Sequence, residues 1–211
     1  NLQTRAWFNE NLTSRNFYVP GVIAVIVMLV TLLLTSMSVV REKEMGTMEQ
    51  IVVTPITPLE FILGKTMPSI ILGFVNMIFV TLISVFWFDI PVRGSIITLF
   101  VANGFYLMTT IGIGLIISTL SETQQQAMMS TFFFYLPAVL LSGFMFPIAN
   151  MPEVVQAVTY LNPLRYFLVI IRGIFLKGVG VAILWPQIMA LLILGILVLT
   201  LAVKKFRKNL A

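Results

Sequence analysis

No cysteine and no histidine occur anywhere in the sequence. Disulfides, thiol nucleophiles, zinc sites of the usual type and Ser-His-Asp triads are excluded with them. Charge is scarce too. Asp, Glu, Lys and Arg make up 10% of the 211 residues, against about 25% in an ordinary soluble domain. Hydrophobic residues make up 59%. A chain with that balance cannot cover itself with polar groups in water, so lipid is its solvent. The net charge of +5 suggests nucleic acid at first sight. The basic residues, however, are scattered or stand at segment ends without interleaved exposed aromatics, and membrane topology accounts for them. No nucleic-acid partner and no metal site are expected.

What is present is a series of long apolar stretches. Five are long enough to span a bilayer: 20–40, 67–88, 96–120, 127–146 and 181–203. The first carries no charge from Pro20 to Val40, about 31 Å of helix at roughly 1.5 Å per residue. Pro20 suits a first helical turn, where its missing N–H costs nothing. Phe86-Trp87-Phe88 and Trp185 have the character of headgroup-level anchors. Residues 1–19 are polar and aromatic and lack the order of a signal peptide. The fold class expected is an all-α integral membrane protein.

Residues 147–180 fit a span poorly. Asn150-x-x-Glu153 has the form of a capping box opening one short helix, which stops before Asn162-Pro163. Asn162 is placed to cap a second helix, Pro163 to Leu176, closed by Gly178. That second helix reaches only about 21 Å, short of a hydrocarbon core of about 30 Å. It also carries Arg165 and Arg172 on one face. Two arginines at mid-membrane would cost roughly 5–7 kcal/mol on the insertion scale. A re-entrant or interfacial helical hairpin over 147–180 is therefore expected. With five spans the termini lie on opposite sides. The basic cluster Lys204–Lys208, directly after a span, argues for a cytoplasmic C-terminus and an extracytoplasmic N-terminal end.

Between the first two spans lies a mixed-charge stretch, Arg41-Glu42-Lys43-Glu44-Met45-Gly46-Thr47-Met48-Glu49-Gln50-Ile51-Val52-Val53-Thr54-Pro55. Met45, Met48, Ile51 and Val52 recur at helical spacing among polar positions, and Thr54-Pro55 ends the pattern. A solvated connector would look like this, and so would a short amphipathic helix gripped by a partner. A plain lipid anchor would be richer in Lys and Arg.

This stretch, with Leu63-Gly64-Lys65 leading into the next span, resembles the coupling region of type-2 ATP-binding cassette permeases. Leu141 to Pro152 is similar to that family's end of the fifth span, and Asn162-Pro163-Leu164-Arg165-Tyr166 to its re-entrant segment. The resemblance covers the whole chain. It implies a six-span exporter subunit that works as a homo- or heterodimer with ATP-hydrolysing partner subunits. It also implies a coupling interface at Arg41, Glu42, Lys43, Glu44, Gly46, Thr47, Glu49, Gln50, Thr54 and Pro55, within a coupling region of 41–65. Family members begin with another span and a large extracytoplasmic domain, so residues 1–19 resemble the tail of that domain, with the spans at 20–203 and a basic cytoplasmic tail at 204–211. Localisation in the cytoplasmic (inner) membrane, among membrane lipids, follows.

Gly64-Lys65-Thr66 is not a phosphate loop. The pattern needs glycine five residues before Gly64, where Leu59 stands. ATP and its Mg²⁺ are left to a partner, and the chain itself is not expected to be an enzyme or to hold a cofactor. Polar residues inside the spans are few. Thr110, Gly114 and Ser118 form a small-residue stripe suited to close helix packing, while Asn76 and Asn103 suit either interhelical hydrogen bonds or a substrate path. No Asp, Glu, Lys or Arg sits inside a clear span, which argues against a proton- or ion-coupled carrier or channel. Pro137 frees a carbonyl within the fourth span, for structure or for gating. Leu140, Leu141 and Phe144, bulky and spaced i, i+1, i+4, are candidate gate residues, although lipid or neighbouring helices would suit them equally.

Overall fold

The computed structural model describes residues 14–47, 57–90 and 92–210, and every regular element among them is helical. The long elements are α1 (Ser14–Glu44), α2 (Pro58–Phe86), α3 (Ile96–Leu120) and α4 (Gln124–Leu140). Two short helices follow, α5 (Glu153–Thr159) and α6 (Pro163–Arg172), and then the long α7 (Val181–Leu210). A 3₁₀ turn at Ile148–Asn150 precedes α5, and a π-helical turn at Gly173–Lys177 extends α6. In lipid a spanning segment must satisfy its own backbone donors and acceptors, which is why apolar runs of this length become helices. α1, α2, α3 and α7 are long and apolar enough to cross a membrane. α4 has 17 residues, about 25 Å, at the lower limit for a span.

α3 occupies the bounds expected from the sequence, and the other helices depart from them for identifiable reasons. α1 begins before Pro20, which therefore lies inside the helix and not in its first turn. α2 begins at Pro58, not at Met67, because Thr57 and Glu60 form a capping box. The Glu60 carboxylate accepts from the Thr57 amide at 2.8 Å, and the Thr57 hydroxyl accepts from the Glu60 amide at 3.3 Å. The box expected at Asn150 and Glu153 does not form. Asn150 belongs to the 3₁₀ turn, and α5 starts directly after Pro152 with no side-chain cap. α7 runs on through the basic residues, so the expected tail is helical to Leu210. α4 stops at Leu140, short of the expected Phe146. There the Ser142 hydroxyl donates to the Val139 carbonyl at 2.6 Å and accepts from the Phe144 amide at 3.1 Å, while Gly143 turns to φ +82°. That left-handed turn favours glycine and ends the helix.

Side-chain contacts fix how the helices run. The Thr31 and Thr110 hydroxyls lie 3.2 Å apart, Gly114 packs on Thr35, and the Ser118 hydroxyl accepts from the Val39 and Val40 amides at 3.2 and 3.0 Å. Residue numbers rise together along this seam, so α1 and α3 are parallel, and the Thr110–Gly114–Ser118 stripe is their contact. α7 is also parallel to α3, with Gly195 against Met108 and Gly112 against Val198. α2 and α4 are antiparallel to α1. Lys65 pairs with Glu42 while Gly73 meets Thr31, and Gln124 bonds Glu44 while the Thr131 and Ser36 hydroxyls lie 2.9 Å apart. The end of α1, the start of α2, the end of α3, the start of α4 and the end of α7 therefore gather at one end of the bundle, here the charged end.

The opposite end holds the hairpin. α4 arrives there, with Phe144 against Gly21 and Tyr18, and α7 departs from it. Residues 147–180 thus begin and end at the same end of the bundle. Within them α5 and the extended α6 meet at a bend of 80°. The Asn162 side chain caps α6 through the Leu164 amide at 3.1 Å and donates to the Ala138 carbonyl at 2.6 Å. Phe167 stacks on buried Tyr106 with ring centroids 4.3 Å apart, and the Tyr106 hydroxyl donates to the Ala24 carbonyl at 3.1 Å. Tyr106 is ten residues into α3, so the hairpin enters the bundle by about 15 Å. The Gly94 amide donates to the Ile174 carbonyl at 2.9 Å and holds its outer end.

Close approach at the α1–α3 seam depends on Gly114. A Cβ built there would lie 2.8 Å from the Thr35 Cβ, which cannot yield without moving α1. Gly114→Leu is expected to destabilise the protein by about 1–3 kcal/mol or more, the usual cost of overpacking. Gly104→Leu is the comparison, since the atom nearest an added Cβ there is Phe74 Cζ at 3.7 Å. Thermal unfolding in detergent should separate the two. Equal losses would remove the seam as the limiting contact.

Candidate functional site

The charged end is built by three consecutive residues of α1. Successive helical residues point about 100° apart, so Glu42, Lys43 and Glu44 reach in three directions. Glu42 is paired with Lys65 of α2 and also accepts from the Thr47 hydroxyl. Its side chain is 13% exposed and that of Lys65 34%, so the pair stands partly in water. Lys43 donates from Nζ to the Thr119 carbonyl at 2.7 Å and to the Ser121 carbonyl at 3.3 Å, at the C-terminus of α3. A cation there bonds carbonyls that have no helical donor and complements the helix dipole. Glu44 lies at the other pole of a helix. Its Oε2 accepts from the backbone amide of Gln124 at 3.1 Å and from the Gln124 Nε2 at 2.8 Å, at the N-terminus of α4.

α1 therefore ends in a three-way brace, with Glu42 on α2, Lys43 on α3 and Glu44 on α4. The chain then leaves through a turn in which the Gly46 amide bonds the Lys43 carbonyl at 3.1 Å and the Thr47 amide bonds the Glu42 carbonyl at 3.1 Å. Gly46 takes φ +72°. Of the ten residues read from the sequence as a coupling interface, Arg41 and Gly46 are exposed, Thr47 is half-buried, and Glu42, Lys43 and Glu44 bond the chain's own helices. Glu49, Gln50, Thr54 and Pro55 lie outside the described residues, as does the expected amphipathic helix beyond Thr47. The sequence reading placed Lys65 in the coupling region without pairing it to Glu42, and it missed Ser121 and Gln124 as members of this cluster. Their signal was the Ser-Glu-Thr break between two apolar runs and a lone lysine two turns into a capped helix.

The candidate gate residues do not share a face. Their i, i+1, i+4 spacing presumed a helix to Phe146, and the turn at Gly143 removes it. Leu140 is exposed on α4. Leu141 lines a groove of about 210 Å³ with Pro137, Val158 and Leu161. Phe144 packs edge-on against Tyr18, ring centroids 5.9 Å apart, and lines a different cavity with Arg165 and Arg172. Asn76 is half-buried on α2. Asn103 is fully buried on α3, and neither polar atom of its amide has a hydrogen-bond partner among the described residues. No hydrogen bond joins the two asparagines among those residues.

Comparison with known proteins bears on this arrangement. The profile of the family described as ABC-2 family transporter protein matches residues 1–204. The chain is similar to the probable multidrug ABC transporter permeases YbhS and YbhR of Escherichia coli K12, at 38% and 36% identity over 99% of its length. It is 25% identical to ABC transporter G family member 20 of Dictyostelium discoideum over 96% of its length, which is 28% of that protein. It spans 56% of the length of each of the two bacterial relatives, about half. A profile that covers nearly every residue of this helical bundle places the chain in the ABC-2 family of transporter proteins.

Proposed function

We propose that this chain is the permease portion of an ATP-driven exporter that moves a hydrophobic or amphipathic substrate outward across the cytoplasmic membrane. A separate ATPase subunit hydrolyses ATP with Mg²⁺, and a second permease subunit, identical or related, completes the pathway. The bacterial relatives named as multidrug permeases support this reading. So does the lack of any phosphate loop in the chain.

The observation that carries the proposal is the brace at the end of α1. The brace immediately precedes the α1–α2 connection in sequence, so a subunit that engages the end of α1 acts on three helices through Glu42, Lys43 and Glu44. These charges serve coupling by fixing the platform, while Arg41 and Met45 offer exposed surface. The charged end faces the cytoplasm in this reading, because the compact basic cluster Lys204–Lys208 directly follows the apolar part of α7 there. The hairpin then dips into the membrane from outside and returns.

Two experiments test these assignments. Glu44→Lys sets a cation against the N-terminus of α4, a reversal costing about 1–2 kcal/mol locally. It should lower substrate-stimulated ATP hydrolysis by the assembled transporter about tenfold, while insertion and co-purification of the ATPase persist. Adding Gln124→Glu should restore part of the loss. Full stimulation in Glu44→Lys would sink the brace as a coupling element.

Since the chain has no cysteine of its own, single cysteines report topology directly. Asn150→Cys and Lys177→Cys should both react with an impermeant thiol reagent added outside intact cells, and Glu122→Cys should react only after permeabilisation. Reaction of Asn150→Cys and Lys177→Cys from opposite faces would make residues 147–180 a full crossing and reverse the C-terminus.

A further inference from the structure

A cavity of about 410 Å³ opens at the hairpin end, between the start of α1, the turn after α4 and one face of α6. Tyr18, Phe144, Phe146 and Leu168 supply apolar wall, and Arg165 and Arg172 both line it. The two arginines are seven residues apart on α6, two helical turns, so their guanidinium groups enter from the same side. Each is held in place. Arg172 donates from Nη1 to the Gly143 carbonyl at 3.2 Å. Arg165 donates to the Thr159 hydroxyl and lies with its guanidinium carbon 3.9 Å from the centroid of the Tyr160 ring. These partners of Arg165 are neutral, and a guanidinium has five N–H donors, more than they use.

Both guanidinium groups line one cavity, so an anion entering it meets N–H donors beside apolar wall. Arginine forks match the oxygens of a phosphate, which accepts from both at once. The depth fits a headgroup. Exposed Trp87 and Trp185, at the end of α2 and the start of α7, stand at this end of the bundle, and tryptophan marks the membrane–water boundary. We infer that the cavity binds a phosphate-bearing amphiphile, the phosphate between Arg165 and Arg172 and the hydrocarbon along Tyr18, Phe144 and Leu168. The inference is independent of ATP coupling. The shared chemistry admits two sources, an outer-leaflet phospholipid or a soluble amphiphilic phosphate.

The test uses the purified protein in dodecyl maltoside and titrates dodecyl phosphate, reading the rise in unfolding temperature. Arg165→Gln and Arg172→Gln should each weaken the apparent affinity at least tenfold. Arg93→Gln, at the same end but outside the cavity, should leave it within twofold. Val169→Trp, which fills the cavity mouth and keeps both charges, should also abolish binding, and it decides the matter where loss of Arg172 prevents folding. Native mass spectrometry separates the sources. Phosphatidylglycerol retained by the parent and lost in Arg165→Gln identifies a lipid headgroup, whereas dodecyl phosphate binding without retained lipid identifies a soluble amphiphile. No binding by the parent overturns the assignment. So does equal binding by parent and Arg165→Gln, or an equal loss in Arg93→Gln.

Discussion

The parallel contact between α1 and α3 is the constraint on which the other elements depend. Three small side chains on α3, at Thr110, Gly114 and Ser118, let the two backbones approach until Ser118 bonds amides of α1 directly. Helices in lipid gain little from apolar contact alone, because the lipid is equally apolar, so packing density and interhelical hydrogen bonds decide association. The seam supplies both. It also fixes where α1 ends relative to α3, which is what lets Lys43 reach the last carbonyls of α3. At the other end the same spacing sets Tyr106 on the Ala24 carbonyl and presents its ring to Phe167. The brace and the hairpin are both mounted on this one contact.

The spans were legible in the sequence because length and hydrophobicity are what lipid selects. The bounds of α3 could be read because Ser95 and Ser121, polar residues at both ends, coincide with its caps. Elsewhere the apolar run and the helix differ, since a helix continues wherever its charged turns find partners. α1 carries four charged residues past Val40 because three of them bond other helices. Sequence cannot show this, as Lys65, Thr119 and Gln124 come together only in the fold. Local signals were ambiguous in the same way. Thr57-x-x-Glu60 and Asn150-x-x-Glu153 share one capping pattern, and only the first caps. Pro152 makes Glu153 the first helical residue of α5, so it cannot stand at the third position that the box requires.

The candidate site was readable in part for the same reason. The mixed charge at 41–44 marked a cluster that the fold does bring together, and its alternation suggested a face turned toward a partner. Around a helix, however, consecutive residues do not share a face, and Glu42, Lys43 and Glu44 serve three different neighbours. The helical stripe presumed for Leu140, Leu141 and Phe144 is interrupted at Gly143, a single left-handed residue that sequence spacing does not reveal. The pairing of Arg165 and Arg172 held, because their seven-residue spacing lies wholly within α6 and its turn.

The seam is not uniform along its length. Near the charged end it is closed by Ser118 on two amides and by the hydroxyls of Thr31 and Thr110. Extending the same offset of 79 residues toward the hairpin sets Asn103 opposite Ala24. There the Asn103 amide is buried with no hydrogen-bond partner among the described residues, at a typical cost of about 1–3 kcal/mol. Pro20 lies one turn away within α1 and removes a backbone donor from that stretch of the helix. Unpartnered buried polar atoms among the described residues thus occur at two places on the seam, Thr35 Oγ1 beside Gly114 and the Asn103 amide. Coupling between distant sites needs an element with two arrangements, and a rigid strut alone does not provide one. α1 supplies the strut, held at its end where Glu42, Lys43 and Glu44 brace three helices. A second arrangement against α3 would have to act on the seam's unpaired groups, Thr35 and Asn103, since every other polar contact named along it is already made.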